Sequence, residues 1–159
     1  MTLYVTAELG STTISLNENG NVVFELADGT QEIYSDVQEV IAWRNANVFV
    51  YGAVPMIAED CSRVTAMNGS IVIARYGCTV FAEDGSIVTA KEGATVHAYD
   101  GSRIVAEAGS LVTVYFGSYI VRYDGAIIKE FNGATIVTNQ GELVLPFPSS
   151  TLNQTHCSK

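Results

Sequence analysis

From Gly69 onward a glycine stands at every eighth position: Gly69, Gly77, Gly85, Gly93, Gly101, Gly109, Gly117, Gly125, Gly133 and Gly141. Asn45, Ala53 and Cys61 hold the same slot upstream, so an octad register runs from about Val37 to Pro148. A period this regular requires one eight-residue structural unit repeated along the chain. With the glycine slot numbered zero, slot three is branched or apolar throughout, as Val64, Val72, Val80, Val88, Val96, Ile104 and Val112. Slot five is alanine from Ala58 to Ala106, and slot one is small, as in Ser70, Cys78, Ser86, Ala94 and Ser102. Slots one, three and five alternate, so they share one face of a strand. Slots seven and zero form the corner, often as Asp-Gly or Asn-Gly, pairs that readily take positive φ.

Two ways of joining such strands differ in what they bury. In a β-meander with two-residue turns, slot three would lie opposite slot four of the next strand, and cross-strand pairs share a face. Successive valines would then point to opposite sides, leaving no face to bury. A parallel β-solenoid keeps slots one, three and five inward in every strand, each strand stacking on its equivalent one coil later at about 4.8 Å. The interior decides the coil size. Ser, Val and Ala cannot fill a triangular coil of 24 residues, but they can close-pack between two facing sheets in a flat coil of 16. An outward series at a lag of 16 agrees: Tyr51, Met67, Glu83, Tyr99, Tyr115, Phe131 and Phe147. Thr65, Thr89 and Thr113, at a lag of 24, point the other way. The expected fold is therefore all-β: a short parallel β-solenoid (β-helix) of octad repeats, flattened to two strands per coil.

The ends depart from the period. Residues 1–36 contain alternating Leu3, Val5, Ala7 and Leu9, then Ile14 and Leu16, a turn at Asn17–Gly20, alternating Val22, Phe24 and Leu26, and a second turn at Asp28-Gly29. They read as an N-terminal β cap over the first coil. Residues 37–148 are the solenoid. Near its end slot five becomes Arg122, Glu130, Thr138 and Pro146. A charge in so narrow a core needs a partner, so widening or a register change is expected there. Pro146-Phe147-Pro148 ends strand pairing, and 149–159 is a polar tail.

Chemistry is sparse. His97 and His156 lie far apart, and no His/Cys/Asp/Glu cluster has metal-ligand spacing. There is no Gly-x-Ser-x-Gly elbow and no Walker phosphate loop, and the serines suit the small inward slot. No catalytic, cofactor-binding or metal residue is assigned, and the chain is expected not to be an enzyme. Interrupted threonine rows argue against an ice-binding plane. Cys61 and Cys78 occupy slots held by small residues elsewhere, and three cysteines make no disulfide framework. The N-terminal Met-Thr-Leu-Tyr lacks the regions of a signal peptide, and no apolar run is long enough for a membrane helix. A cytoplasmic location without membrane contact is expected.

Three outward features remain as candidate binding sites. Ile57, Ile73, Val105, Val121 and Val137 recur in slot four of one side and form a candidate self-association face. Tyr51, Tyr99, Tyr115 and Phe131 form a candidate partner-binding aromatic ladder on the other side. Glu59, Asp60, Glu83, Asp84, Glu92, Asp100, Glu107 and Asp124 gather near corners as a candidate acidic ridge. With 17 acidic against 8 basic residues and a net charge of -9, direct nucleic-acid binding is not expected. The composition resembles that of acidic nucleic-acid mimics encoded by phages and mobile elements, which implies inhibition of a DNA- or RNA-processing or defence complex. The first expectation is a non-catalytic, protein-binding or self-assembling solenoid, forming a dimer or higher oligomer; the second is such a mimic.

Overall fold

The structure is a computed structural model that describes residues 1–129 and 133–144. Four strands precede the regular repeat: β1 (Thr2–Val5), β2 (Ser11–Leu16), β3 (Val22–Glu25) and β4 (Gln31–Tyr34). The repeat follows as β5 (Glu39–Ala42), β6 (Asn47–Val50), β7 (Pro55–Ala58), β8 (Arg63–Ala66), β9 (Ile71–Ala74), β10 (Thr79–Ala82) and β11 (Ile87–Ala90). It continues as β12 (Thr95–Ala98), β13 (Arg103–Ala106), β14 (Leu111–Val114), β15 (Tyr119–Arg122), β16 (Ile127–Lys129), β17 (Thr135–Thr138) and β18 (Leu143–Val144).

The strands form two nine-stranded sheets. Sheet A runs β1-β5-β7-β9-β11-β13-β15-β17-β18, and sheet B runs β16-β14-β12-β10-β8-β6-β2-β3-β4. From β5 to β17 the strands of the repeat pair in parallel with their equivalents one coil on, as Val80 with Val96 and Val88 with Ile104. That offset is 16 residues, so the coil is the flat, two-sided one. Val64, Val72, Val80, Val88 and Val96 of slot three and the slot-five alanines are almost wholly buried, filling the narrow space between the sheets.

Most described corners of the repeat close with a backbone bond from the slot-one N–H to the slot-six carbonyl, as Ser70 to Met67 at 3.0 Å and Ala94 to Lys91 at 3.0 Å. In slot one Ser70, Ser86, Ser102 and Ser110 also donate their hydroxyls to that same carbonyl at 2.6 Å. This satisfies a polar group inside the core. The glycines bond to one another between coils, Gly77 N–H to Gly93 C=O at 3.0 Å and Gly109 N–H to Gly125 C=O at 2.9 Å. The corner backbone is thus paired along the axis rather than left to solvent.

The turn chemistry corrects one expectation. At Asp84-Gly85 and Asp100-Gly101 only the glycine has positive φ, which is the type II pattern. The slot-seven side chain instead lies over the glycine of the next coil. A Cβ on Gly101 would meet Asp84 Oδ1 at 1.9 Å, and one on Gly93 would meet Tyr76 Cδ2 at 2.2 Å. Slot seven therefore accepts Asp, Asn, Tyr or Phe alike. Two early corners differ, because Arg44-Asn45 and Asp60-Cys61 place both residues at positive φ. The second of these is also where a buried serine hydroxyl, that of Ser62, has no partner. At Ala53 the glycine slot is displaced: Gly52 carries the positive φ, and Val54 N–H closes a three-residue turn onto Gly52 C=O at 2.9 Å.

The N-terminal segment divides in two. β1 pairs in parallel with β5 and β2 with β6, in the solenoid's own register, Leu3 beside Val40 and Ile14 beside Val50. The parallel stack therefore begins at Thr2 rather than at Val37. The hairpin β3–β4 is inserted between its first and second coils, which breaks the eight-residue spacing and hides that coil in the sequence. The hairpin adds antiparallel strands to sheet B and buries Val22 and Phe24 at the core's end. Both of its turns form where expected, with Gly20 N–H on Asn17 C=O and Gly29 N–H on Leu26 C=O, each at 2.9 Å. The alternation Leu3–Leu9 is not one strand: it breaks at Thr6 and passes into a 3-10 turn at Ala7–Leu9.

At the other end no register change accompanies Arg122, which stays in line with Thr138. Its side chain is half-buried, with Nε directed at Ala126 C=O at 3.4 Å, so the last coils admit a charge by opening to solvent. β18 then reverses and pairs antiparallel with β17. Glu130, Pro146, Phe147, Pro148 and the tail 149–159 lie outside the described residues.

Candidate functional site

The octad places every outward side chain in a column along one of the two sheets or one of the two corner edges. In sheet A the slot-four column reads Tyr4, Ile41, Ile57, Ile73, Thr89, Val105, Val121 and Val137. Ile57, assigned to an exposed face, is only 7% accessible. Branched side chains one strand apart cover one another, and Ile57 stands between Ile41 and Ile73. Ile73, Val105, Val121 and Val137 are half-buried and do form one continuous column. Beside it in slot two stand Ile71 and Ile87, 48% and 42% exposed, followed in the same column by exposed Arg103 and half-buried Tyr119.

The aromatic ladder is only partly assembled. Tyr99 and Tyr115 stack with centroids 4.7 Å apart and planes 10° from parallel. Tyr51 is separated from them by the Met67 and Glu83 rungs, and Phe131 lies outside the described residues. The neighbouring slot-four column supplies more of the stack: Phe81 and His97 lie 5.0 Å apart at 10°, and His97 lies 6.5 Å from Tyr115. These rings are spaced by the strand repeat, so their faces are turned to one another along the axis and their rims point outward. Arg63 covers the next side of Phe81, its guanidinium carbon 5.0 Å from the ring centroid. The columns were legible at a lag of 16; which columns lean together was not.

Burial holds the His97 imidazole below the usual histidine range, with the nearby Arg63 charge adding to the effect. Its buried Nδ1 has no hydrogen-bond partner. A group whose folded pKa is depressed in this way binds fewer protons folded than unfolded. Its contribution is complete above its ordinary pKa of 6.5 and is lost as pH falls through that value toward the folded one. Urea midpoints measured at about pH 7.5 and about pH 5.5 are therefore expected to fall more for the native chain than for His97→Phe, which keeps the stack and removes the proton site. Equal falls in both proteins would show that His97 is not responsible. Burial also raises the Tyr99 hydroxyl, aided by Tyr115 and Glu83.

The acidic residues do not form one ridge. Glu59, Asp60, Glu92, Glu107 and Asp124 follow sheet-A strands and line one edge, whereas Glu83, Asp84 and Asp100 follow sheet-B strands and line the other. On the first edge Arg75 pairs with Glu59 at 3.3 Å and Lys91 with Glu107 at 2.8 Å, coil to coil. Such exposed pairs contribute about 0–1 kcal/mol each, but they offset two of the five negative charges on this edge. Burial pushes the Cys78 thiol up to about 12, which makes it an inert core side chain. Cys61 is exposed.

Among the described residues no group of three His, Cys, Asp or Glu is placed to hold a metal ion, and no helix is long and apolar enough to cross a membrane. Comparison of the chain with protein-family profiles, characterised proteins and solved structures finds no match.

Proposed function

We propose that the protein is a non-catalytic binding solenoid whose sheet-A face docks against a second copy of the chain. The observation that carries this reading is the uncharged slot-four column of Ile73, Thr89, Val105, Val121 and Val137, bordered by exposed Ile71 and Ile87. Eight parallel four-residue strands, each about 13 Å long and spaced at about 4.8 Å, offer on the order of 500 Å² per protomer, to which flanking corner residues add. A standard protein–protein interface takes about 800 Å² per partner. The flatness of a stacked sheet lets two such faces meet without rearrangement. Net charge opposes self-association at long range, so salt is expected to strengthen the dimer by screening. The nucleic-acid-mimic reading has less to stand on, because its eight carboxylates divide between two edges.

Sedimentation of the native chain and of a Val105→Asp, Val121→Asp double variant tests the proposal. The expected result is a native dimer or higher oligomer and a monomeric variant, with at least a tenfold weaker association constant, about 1.4 kcal/mol. A Val105→Lys, Val121→Glu variant, whose neighbouring charges attract, serves as the folded control if the double aspartate weakens the sheet. A native monomer at high salt would refute self-association through this face.

A further inference from the structure

On sheet B, remote from the face above, Phe49, Thr65 and Phe81 occupy the same slot of three successive strands. The two phenyl rungs are therefore about 9.6 Å apart, twice the strand spacing, with a short side chain between them. An open cleft of about 430 Å³ lies there, lined by Asn47, Phe49, Arg63, Thr65, Phe81 and Glu83. The next rungs show what the spacing accepts: Phe81 with His97 at 5.0 Å and Tyr99 with Tyr115 at 4.7 Å are parallel ring pairs on the same pitch. The column reads Thr13, Phe49, Thr65, Phe81, His97, Thr113 and Lys129, so Thr65 is the one rung without a ring that lies between two phenyl rungs, and two strand spacings leave room for one planar ring.

The two ends of the cleft differ in charge. Arg63 lies two residues before Thr65 on β8 and brings its guanidinium to 5.0 Å from the Phe81 ring, into the level of the missing rung. It has no ion-pair partner among the described residues, although Glu59 and Glu107 each have one. Glu83 closes the other end and lies just past β10. We propose that the gap binds a small aromatic acid with a hydroxyl para to its acidic arm. The ring takes the Thr65 rung between Phe49 and Phe81. It displaces the guanidinium sideways, where Arg63 pairs with the ligand's carboxylate, while Glu83 accepts a hydrogen bond from the phenol. The order carboxylate, ring, hydroxyl matches the order Arg63, Phe49/Phe81, Glu83 along the strand direction.

The probe is 4-hydroxyphenylacetate, followed by chemical-shift changes at Phe49, Thr65 and Phe81, with cyclohexylacetate as the non-planar acid and N-acetyl-tyrosinamide as the phenol without an acid. The expected result is saturable binding of 4-hydroxyphenylacetate at least tenfold tighter than either comparison compound. Thr65→Phe, which supplies the missing ring from the chain itself, is expected to weaken binding at least tenfold, and Arg63→Ala about tenfold. If Thr65→Phe does not fold, Phe81→Leu carries the same expectation. Absence of saturable binding, equal binding of cyclohexylacetate, or binding unchanged in these variants overturns the proposal. Equal binding of N-acetyl-tyrosinamide overturns it in favour of a partner's tyrosine side chain.

Discussion

Replacing Ile104 by alanine is expected to destabilise the protein by about 3 kcal/mol, whereas Val105→Thr, one residue on, costs less than about 0.5 kcal/mol. Ile104 is 1% exposed and points between the sheets, while Val105 points outward. The core is a single layer of side chains shared by two sheets. Each sheet is held by backbone bonds to the coils on either side, as β13 is by β11 and β15. The walls cannot close fully on the cavity, so the cavity adds its own cost to the lost burial. Contacts in a solenoid run mainly between adjacent coils. Hydrogen exchange should therefore show protection falling first in β11, β13 and β15. A uniform loss over the whole chain, or a cost below about 1 kcal/mol by urea unfolding, would mean that the layer repacks.

The second large effect is expected at a corner. Gly125→Val should cost about 3 kcal/mol, because φ there is 89° and a new Cβ would stand 3.0 Å from Ala108 Cβ and 3.3 Å from its Cα. Backbone cannot move aside as a flexible side chain can. Gly20 separates the two causes. Its φ is 78°, yet nothing lies within 4 Å of an added Cβ, so Gly20→Ala should cost only about 1 kcal/mol, from conformation alone. The converse applies at Cys61, a non-glycine residue at φ 63° in the glycine slot, where Cys61→Gly should stabilise by up to about 1 kcal/mol. Thermal midpoints of the three variants check the order. If Gly125→Val cost no more than Gly20→Ala, stacking would have no part in the glycine requirement.

Much of the architecture was legible because one period carries three kinds of information at once. Val80, Ala82 and Cys78 show the inward face, Thr79 and Phe81 the outward one, and Gly77 and Gly85 the corners, so strand, face and bend are read from the same eight residues. The candidate sites were less legible because they depend on how columns meet. The slot spacing put Ile57 on an outward column, but its burial depends on Ile41 and Ile73 from adjacent coils. Tyr99 and Tyr115 were visible as rungs, whereas the approach of His97 from another column depends on side-chain lean. The eight acids are scattered through consecutive octads, and only the alternation of sheets sends Glu83, Asp84 and Asp100 to one edge and the other five to the opposite edge.

The sequence alone determined that the chain is a parallel β-solenoid with a Val/Ala/Ser interior and glycine corners, because periodic burial leaves a strand no other consistent face. Tertiary structure decided the rest. It placed β1 and β2 in the first coil, since pairing in space is indifferent to the hairpin inserted between them. It showed that from Gly85 to Gly133 the glycine every eighth residue is required twice, by a positive φ and by the side chain lying on it from the coil before. Only the second requirement involves residues from two coils, and so no single octad could disclose it.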